Sequence, residues 1–493
     1  MLRQTFHRCK GFRRPLSTIV NNSLDDFTVG GCVKEPKVII IGAGLAGLSA
    51  AQRLASAGFK DFTILEASHR VGGRIETFCY DNKVLEFGAQ WFKTGLNNSI
   101  FNLAMEEQLA LQSDNNSAGI FLSPEGLPGI RQSVGDIGYT IFSEMKSKLN
   151  KMDCSADKVQ RSVLDYLNLR IQQELATLSG PLQYDVYRVI YGLTNDLKAE
   201  IGIDLSLASA LDVHGMASDS GRRVTVPRGM ANLLAPLLRE IPAESVHYNK
   251  QVDTVSWGTQ VPTSPRALLM CHDTSAYEAD YVLVTVPLGV LKSTADTMFC
   301  PSLPSSKTEA IKALGVGHLH RVFMEYTNPF WAGDQPKYRF ARCMDEVNGP
   351  KGWASTISRI DYVNNTLAFE VSGQQAVEME NCSNEHVAME LTNLLRQYTG
   401  NWIPFPSNLL RSRWWTNKFF RGAQSYLGMQ SNVEHQKELG SPVFAHNDPN
   451  NPILLFAGEA TSIGSHATLH GARTSGIREA HRILKLTKAQ NKI

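Results

Sequence analysis

The stretch that most constrains this chain is Lys37-Val-Ile-Ile-Ile-Gly-Ala-Gly-Leu-Ala-Gly-Leu-Ser-Ala-Ala-Gln-Arg-Leu-Ala-Ser-Ala-Gly58. Val38 to Ile41 is a β-branched run suited to a buried parallel strand, and an Ala- and Leu-rich amphipathic helix starts at Leu45. Between them, Gly42 permits a tight turn, Gly44 lets a pyrophosphate approach the backbone, and Gly47 lets the helix press on the sheet. The helix N-terminus then faces the phosphates, where its unpaired N–H groups and dipole favour anions. Glu66 ends the next strand, nineteen residues after Gly47. A carboxylate there accepts hydrogen bonds from a ribose diol and repels an added 2′-phosphate. A lone Gly-x-Gly-x-x-Gly is weak evidence, but strand, helix and acid in this order describe a dinucleotide cradle.

A chain of 493 residues can bury a large core and suggests two or three domains. The formal net charge is +2 and no basic stripe is interleaved with aromatics, so nucleic acid is not an expected partner. The eight cysteines (Cys9, Cys32, Cys79, Cys154, Cys271, Cys300, Cys343 and Cys382) form no CxxC pair, which predicts reduced, mostly buried thiols of an intracellular protein. The longest uncharged stretch, Val38 to Gln52, is too short and glycine-broken to span a bilayer. Arg3, Arg8, Lys10, Arg13 and Arg14 precede the first acid, Asp25. That composition fits a mitochondrial transit peptide, with a basic disordered tail on a cytoplasmic protein as the alternative. The final Gln-Asn-Lys-Ile is not a peroxisomal Ser-Lys-Leu address.

Beyond the cradle, Lys83 to Gly95 reads as a strand entering a glycine-bounded loop, and residues 99 to 193 are mostly helical in pattern. Strands are expected around Arg222 to Met230, and at Val246 to Val255 and Ala279 to Gly289, where they could extend the first sheet. A helix near Lys307 to Leu314, strands near Arg321 to Tyr326 and Thr366 to Val371, and a helix from Asn384 to Tyr398 follow. Pro452 to Thr461 is a buried strand ending in a small-residue turn, and the helix from His470 to Leu484 points its N-terminus at the same dinucleotide. Nucleotide-like segments at both ends of the chain imply one discontinuous domain, interrupted twice.

Together these motifs resemble the flavin-containing amine oxidase family, in its polyamine-oxidase-like branch. The most specific pieces are Val71-Gly-Gly-Arg74, Leu85-Glu-Phe-Gly-Ala-Gln-Trp91, Val284-Thr-Val-Pro-Leu-Gly-Val-Leu-Lys292, Asn328-Pro-Phe-Trp331, Phe456-Ala-Gly-Glu-Ala-Thr461 and Ala467-Thr-Leu-His-Gly-Ala472. The resemblance implies an α/β fold: a discontinuous Rossmann-like FAD-binding domain (residues 36–95, 222–291 and 441–486) and an α+β substrate-binding domain (96–221 and 292–440). Residues 1–35 precede both as the basic N-terminal segment. It also implies that Glu66 holds the adenosine ribose, Arg74 lies near the flavin and its phosphates, Glu459 contacts the pyrophosphate or ribityl region, and the strand around Val252 meets the adenine side. The remaining positions carried over by motif as FAD contacts are Ala46, Ala67, Gly73, Gly88, Ala89, Gln90, Trp91, Gly458 and Thr468, beside Gly42, Gly44 and Gly47. Where relatives that bind flavin covalently carry a cysteine, Arg421-Gly-Ala-Gln-Ser425 places Ala423, so the FAD is expected to be non-covalent.

The implied reaction moves a hydride equivalent from the carbon beside an amine nitrogen to the flavin, and O2 then accepts the electrons to give hydrogen peroxide. Three positions depart from the family pattern. Arg321 stands where relatives place a lysine bridged by water to the flavin; it keeps the charge but cannot act as a base at neutral pH. Gln424 replaces an aromatic wall opposite Thr468, offering hydrogen bonds instead of a π surface. Lys93 replaces a histidine, and its charge disfavours a polycation unless nearby acids offset it. Asp196, Glu200 and Asp204 are the candidate acids, although a solvated helix face is the expectation for each. Trp402, Trp415 and Tyr426 are expected in the core, and His466 and His470 lack metal-ligand spacing. The leading reading is an FAD amine oxidase acting on a polyamine or related amine with O2. The alternatives are an FAD oxidoreductase of another substrate, with Arg228 or Arg321 clamping a carboxylate, and a flavoprotein with little turnover. Histone-lysine demethylation is disfavoured, because this length leaves no room for the extra helical regions of relatives with that activity.

Overall fold

A computed structural model describes residues 35–113, 117–150, 161–211, 221–258, 266–331, 337–342, 352–445 and 448–490. The apolar run Val38–Ile41 is the middle of a six-stranded sheet whose order is Val443–Ala445, Asp448–Phe456, Tyr281–Val284, Val38–Ile41, Phe62–Leu65, Val246–His247. All neighbours pair in parallel except the first two, and Ile40 sits level with Ile64 and Leu283. Side chains alternate between the two faces. Ile40, Ile64, Leu283 and Leu455 join Leu48, Leu54 and Ile483 on one side, while Ile39, Ile41, Leu65, Val282 and Leu454 join a second apolar cluster on the other. Burial on both faces is why these strands read as unbroken hydrophobic runs.

Helices Leu45–Ser56 and Leu469–Gln490 cross on the first of these faces. They approach so closely that a methyl group on Gly476 would lie 2.0 Å from the Ala46 carbonyl oxygen. The two ends of the described chain therefore meet at one helix pair, above the strand ends where Gly42 and Gly458 turn.

A second six-stranded sheet has the order Asn408–Arg411, Leu319–Glu325, Thr366–Ser372, Arg359–Val363, Tyr338–Phe340, Ile120–Leu122. Its Leu319–Glu325 strand alternates sharply. Val322 and Met324 enter a core with Phe369, Val371 and Leu391, whereas Arg321 stands opposite Glu370 in the register and points to the other face. Helices Gln132–Leu149, Val163–Leu175 and Gly180–Ile201 share a further apolar cluster beside it.

Several expectations need correction. The strand expected at Val246 to Val255 is two: Val246–His247 does extend the first sheet, whereas Val252–Trp257 pairs antiparallel with Ala267–Cys271 in a separate four-stranded sheet, burying Val255 and Trp257 against Leu269 and Ala267. Arg223–Thr225 pairs with Phe92–Lys93 and Gln112–Ser113 in a small three-stranded sheet. Trp402 and Trp415 are exposed rather than core residues, and Tyr426 is half-buried. Of the described thiols, Cys271 is buried but Cys79 and Cys300 are exposed, and all are free. Cys9, Cys32, Cys154 and Cys343, with the basic residues of 1–24, lie outside the described residues. No described helix is long and apolar enough to cross a membrane.

Candidate active site

One cavity of about 400 Å³ runs from the cradle glycines to the inner face of the second sheet. At its cradle end, Gly42 has φ +107°, and a side chain there would lie 2.8 Å from the Thr285 hydroxyl. Gly44 is the N-cap of helix Leu45–Ser56, has no capping side chain, and has open space where a Cβ would be. The first-turn N–H groups thus face a void of the sort a pyrophosphate fills. Gly47, also carried over as an FAD contact, does not line the cavity; a Cβ on it would lie 2.0 Å from the Gly42 carbonyl oxygen, the close helix–strand packing expected of it. The buried Glu66 carboxylate accepts from the Ala43 N–H (2.8 Å), the Ser68 N–H (2.8 Å) and the Ser68 hydroxyl (2.7 Å). Ala46, Ala67 and Val252 share this part of the lining with Lys250 and Gln251, two polar residues no motif had marked.

The middle of the cavity is built on an ion pair. Arg74 Nη1 donates to Glu459 Oε1 at 3.0 Å and to the Ala423 carbonyl at 2.9 Å. Glu459 Oε2 accepts from the Ser425 hydroxyl (2.6 Å) and the Ala467 N–H (2.7 Å). Burial alone would raise this carboxyl; the Arg74 guanidinium and these hydrogen bonds hold it below the usual carboxylate range. Three distant motifs meet here. Gly73, Gly88 and Gly458 line the same section, and Gly458, at φ +130°, has open space at its Cβ position. Gly88 lies so close to Arg74 that a Cβ would stand 1.9 Å from the Arg74 carbonyl oxygen.

At the far end Ala89, Gln90, Trp91, Lys93, Arg321, Gln424 and Thr468 all line the cavity, so the three positions that depart from the family pattern share it with Thr468. Arg321 is 7% exposed; its Nη1 donates to the Glu86 carbonyl at 3.3 Å and its Nη2 lies 3.6 Å from Asp361. Its Nε is buried without a protein partner. Two other assignments change. Gln424 does not offer its amide N–H groups to the cavity: Nε2 donates to the Glu200 and Ile201 carbonyls at 2.9 and 2.6 Å, closing the end of helix Gly180–Ile201. The Thr468 hydroxyl accepts from the Gly471 N–H at 3.0 Å, the hydrogen bond of a helix N-cap.

Two of the three acids expected on a solvated face are instead held in ion pairs at the cavity. Asp196 and Glu200 line the cavity, Asp196 paired with Arg339 and Arg359, and Glu200 with Lys146 and Arg223. Burial opposes ionisation of Glu200, but Arg223 and Lys146 prevail and hold it well below the usual range. The two lie four residues apart on a helix packed against the second sheet, so one face of that helix turns inward. Asp204 lies off the cavity and pairs with Lys198. Glu370, Arg359 and Trp414 also line this end, Glu370 accepting from Gln90 Nε2 at 2.8 Å. Strand alternation around Arg321 was the one available signal for Glu370. Arg228 is exposed and outside the lining, His470 lines it, and no described group of histidines, cysteines and acids could hold a metal.

The family model for flavin containing amine oxidoreductases matches residues 45–484. The chain belongs to the flavin-containing amine oxidoreductases. It is similar to human peroxisomal N(1)-acetyl-spermine/spermidine oxidase, with 29% identity over 94% of this chain and 98% of that protein. It is 30% identical to protein anon-37Cs of Drosophila lebanonensis, over 94% and 92% of the two chains. A solved structure of wild-type putrescine oxidase bound to putrescine superposes with a TM-score of 0.68 at 19% identity, covering 92% of this chain and 99% of that one, so the fold is shared. As a flavin-containing amine oxidoreductase the protein uses FAD to oxidise amine donors. The residues present fit that group: the uncapped helix start, the open spaces at Gly44 and Gly458 and the Glu66 carboxylate are features an extended dinucleotide needs. No comparison supports the mitochondrial expectation; the human relative is named as peroxisomal.

Proposed function

We propose that this oxidoreductase holds FAD without a covalent bond and oxidises a C–N bond of a polyamine or related secondary amine, passing the electrons to O2. The observation that carries the reading is the single cavity joining the cradle to Lys93, Arg321 and Glu200. The names of the human and bovine relatives, both N(1)-acetyl-spermine/spermidine oxidases, support the substrate class. Support for non-covalent attachment comes from Ala423 at the turn and from a described lining without cysteine.

When bound, the flavin supplies the two-electron acceptor for the C–H bond beside the nitrogen. The protein's share is placement. The Arg74–Glu459 pair fixes the middle of the cavity, and the helix N-terminus at Leu45 neutralises phosphate charge. The far end holds Asp196 and Glu200 within ion pairs, so a substrate ammonium meets carboxylates already partnered by arginine and lysine. Such a chamber favours the neutral form of the nitrogen that reaches the reacting end, which is also what oxidation requires. Arg321, a permanent cation with an unpartnered Nε, holds a water and stabilises negative charge at the reacting end, a task in which it need not give up a proton.

The test is anaerobic mixing of the FAD-loaded protein with spermine, acetylated spermine, spermidine and amino acids while the flavin band is followed. Bleaching by a polyamine or its acetylated form is expected. Bleaching by amino acids alone would replace the substrate class, and no bleaching by any amine would favour a flavoprotein with little turnover.

A further inference from the structure

A second cavity, of about 690 Å³, shares part of its wall with the first. Ile75, Phe87 and Trp414 line both, so in places one layer of side chains separates them. The second cavity is largely apolar where it nears that wall, with Val71, Phe78 and Leu234. Of its guanidiniums, Arg70 donates to the Gly73 carbonyl at 2.9 Å and pairs with Glu76 at 3.2 Å, Arg411 donates to the Met379 carbonyl at 2.6 Å, and Arg413 is exposed. The one carboxylate of this lining, Glu76, is already paired with Arg70, and three arginines repel a cationic amine, whereas a small uncharged apolar molecule crosses without losing hydration.

The wall also adjoins Arg321 at the reacting end. Trp414 Nε1 donates to the Phe87 carbonyl at 3.1 Å, which ties the two aromatic residues together. The Phe87 ring lies 5.1 Å from the Phe323 ring, and the Arg321 guanidinium lies 5.1 Å from that same ring. Arg321 is also hydrogen-bonded to the carbonyl of Glu86, the residue before Phe87. A molecule passing between Phe87 and Trp414 arrives beside a buried arginine whose Nε lacks a partner.

We propose that the second cavity is the port for dioxygen, and that Phe87 and Trp414 form its inner gate, opening beside Arg321. This rests on the oxidase reading given above. Dioxygen takes two electrons and two protons from the dihydroflavin and leaves as hydrogen peroxide, the flavin returning oxidised. With a separate port, O2 reaches the reduced flavin while amine product still fills the main cavity.

Xenon, an apolar probe of similar size, tests the port without any turnover. Crystals of the FAD-loaded protein under xenon pressure should show a xenon site against Phe78, Phe87 and Trp414. In solution the port is plugged with Ala235→Trp, an exposed position on the wall of the second cavity and outside the first. Flavin is reduced photochemically and mixed with limiting O2; reoxidation should slow at least fivefold, with FAD binding unchanged. Ala231→Trp, also exposed on that wall, gives the same readout if the first variant does not fold. Xenon confined to the main cavity, or wild-type reoxidation in a folded plugged variant, overturns the port. Photochemical reduction needs no amine, so a failure of the substrate reading is registered separately by the anaerobic panel.

Discussion

Replacing Gln424 by methionine separates two roles for a residue that the sequence places beside the flavin and the structure ties to a helix end. Gln424 Nε2 donates to the Glu200 and Ile201 carbonyls, which belong to the last turn of helix Gly180–Ile201. Those carbonyls have no intrahelical partner and carry the negative end of the helix dipole. The helix closes at Gly202, φ +80°, where an added Cβ would lie 2.9 Å from Gln424 Nε2. Methionine keeps the length and apolar stem but removes both donated bonds. At about 0.5–1.5 kcal/mol each, the loss is about 1–3 kcal/mol. Unfolding entropy near 2.1 cal/mol/K per residue spreads this over a large chain, so the thermal midpoint should fall by only roughly 1–3 °C. Amide hydrogen exchange is the sharper assay. Exchange at Lys198 to Gly202 should quicken by roughly 5- to 150-fold, the same energy read locally. Because Glu200 lines the chamber from this turn, KM for the amine should rise several-fold with FAD content unchanged. Wild-type exchange and melting combined with a changed rate of flavin reduction would refute the brace and return Gln424 to the chemistry.

The two cradle glycines should fail differently. Gly44→Ala sends a methyl into open cavity, so the apoprotein should fold normally with FAD affinity lowered at least about tenfold, read by FAD titration. Gly47→Ala drives a methyl to 2.0 Å from the Gly42 carbonyl, so loss of about 3 kcal/mol or more, or insolubility, is expected with or without FAD. Arg321→Met should slow reoxidation about tenfold while slowing anaerobic reduction less; equal effects in stopped flow remove its proposed role. Burial, then the neighbouring His320, lowers His318 to about 4, while Glu380 and Asp204 pull the other way. The unfolded chain, with an imidazole near 6.5, binds the extra proton between these values. Stability is therefore full above about pH 6.5 and falls as pH drops towards 4, by up to about 3 kcal/mol from this group. His318→Phe, which keeps a ring against Trp415, should flatten the urea midpoint across that window.

The cradle could be read from the chain because each of its residues acts on near neighbours. Gly42, Gly44 and Gly47 constrain one turn, and Glu66 returns to it through the Ala43 N–H. The reacting end was legible only as a set of positions, since what a side chain does there depends on partners far along the chain. Nothing near Gln424 announces Glu200 and Ile201 as acceptors, more than two hundred residues away. The helix pattern around Asp196 and Glu200 resembles a solvated face because arginines from other elements supply their counter-charges: Arg223, Arg339 and Arg359. Val252–Trp257 was misassigned for a related reason, since its hairpin partner at Ala267–Cys271 decides which sheet it joins.

That asymmetry bears on how such a protein changes substrate. The Arg74–Glu459 pair, with Ser425 and the Ala467 N–H closing on the same carboxylate, leaves no member replaceable without a buried charge or donor being stranded. The cofactor section is therefore rigid by construction. Around the chamber Glu200 and Asp196 have two cationic partners apiece, Lys146 and Arg223 for Glu200, Arg339 and Arg359 for Asp196. Loss of one cation there still leaves the acid paired, while altering the charge a substrate meets. Lys93, Arg223 and Arg359 are thus positions where a single substitution can move amine preference without moving the flavin, and FAD affinity unchanged alongside altered KM is the signature that would identify them.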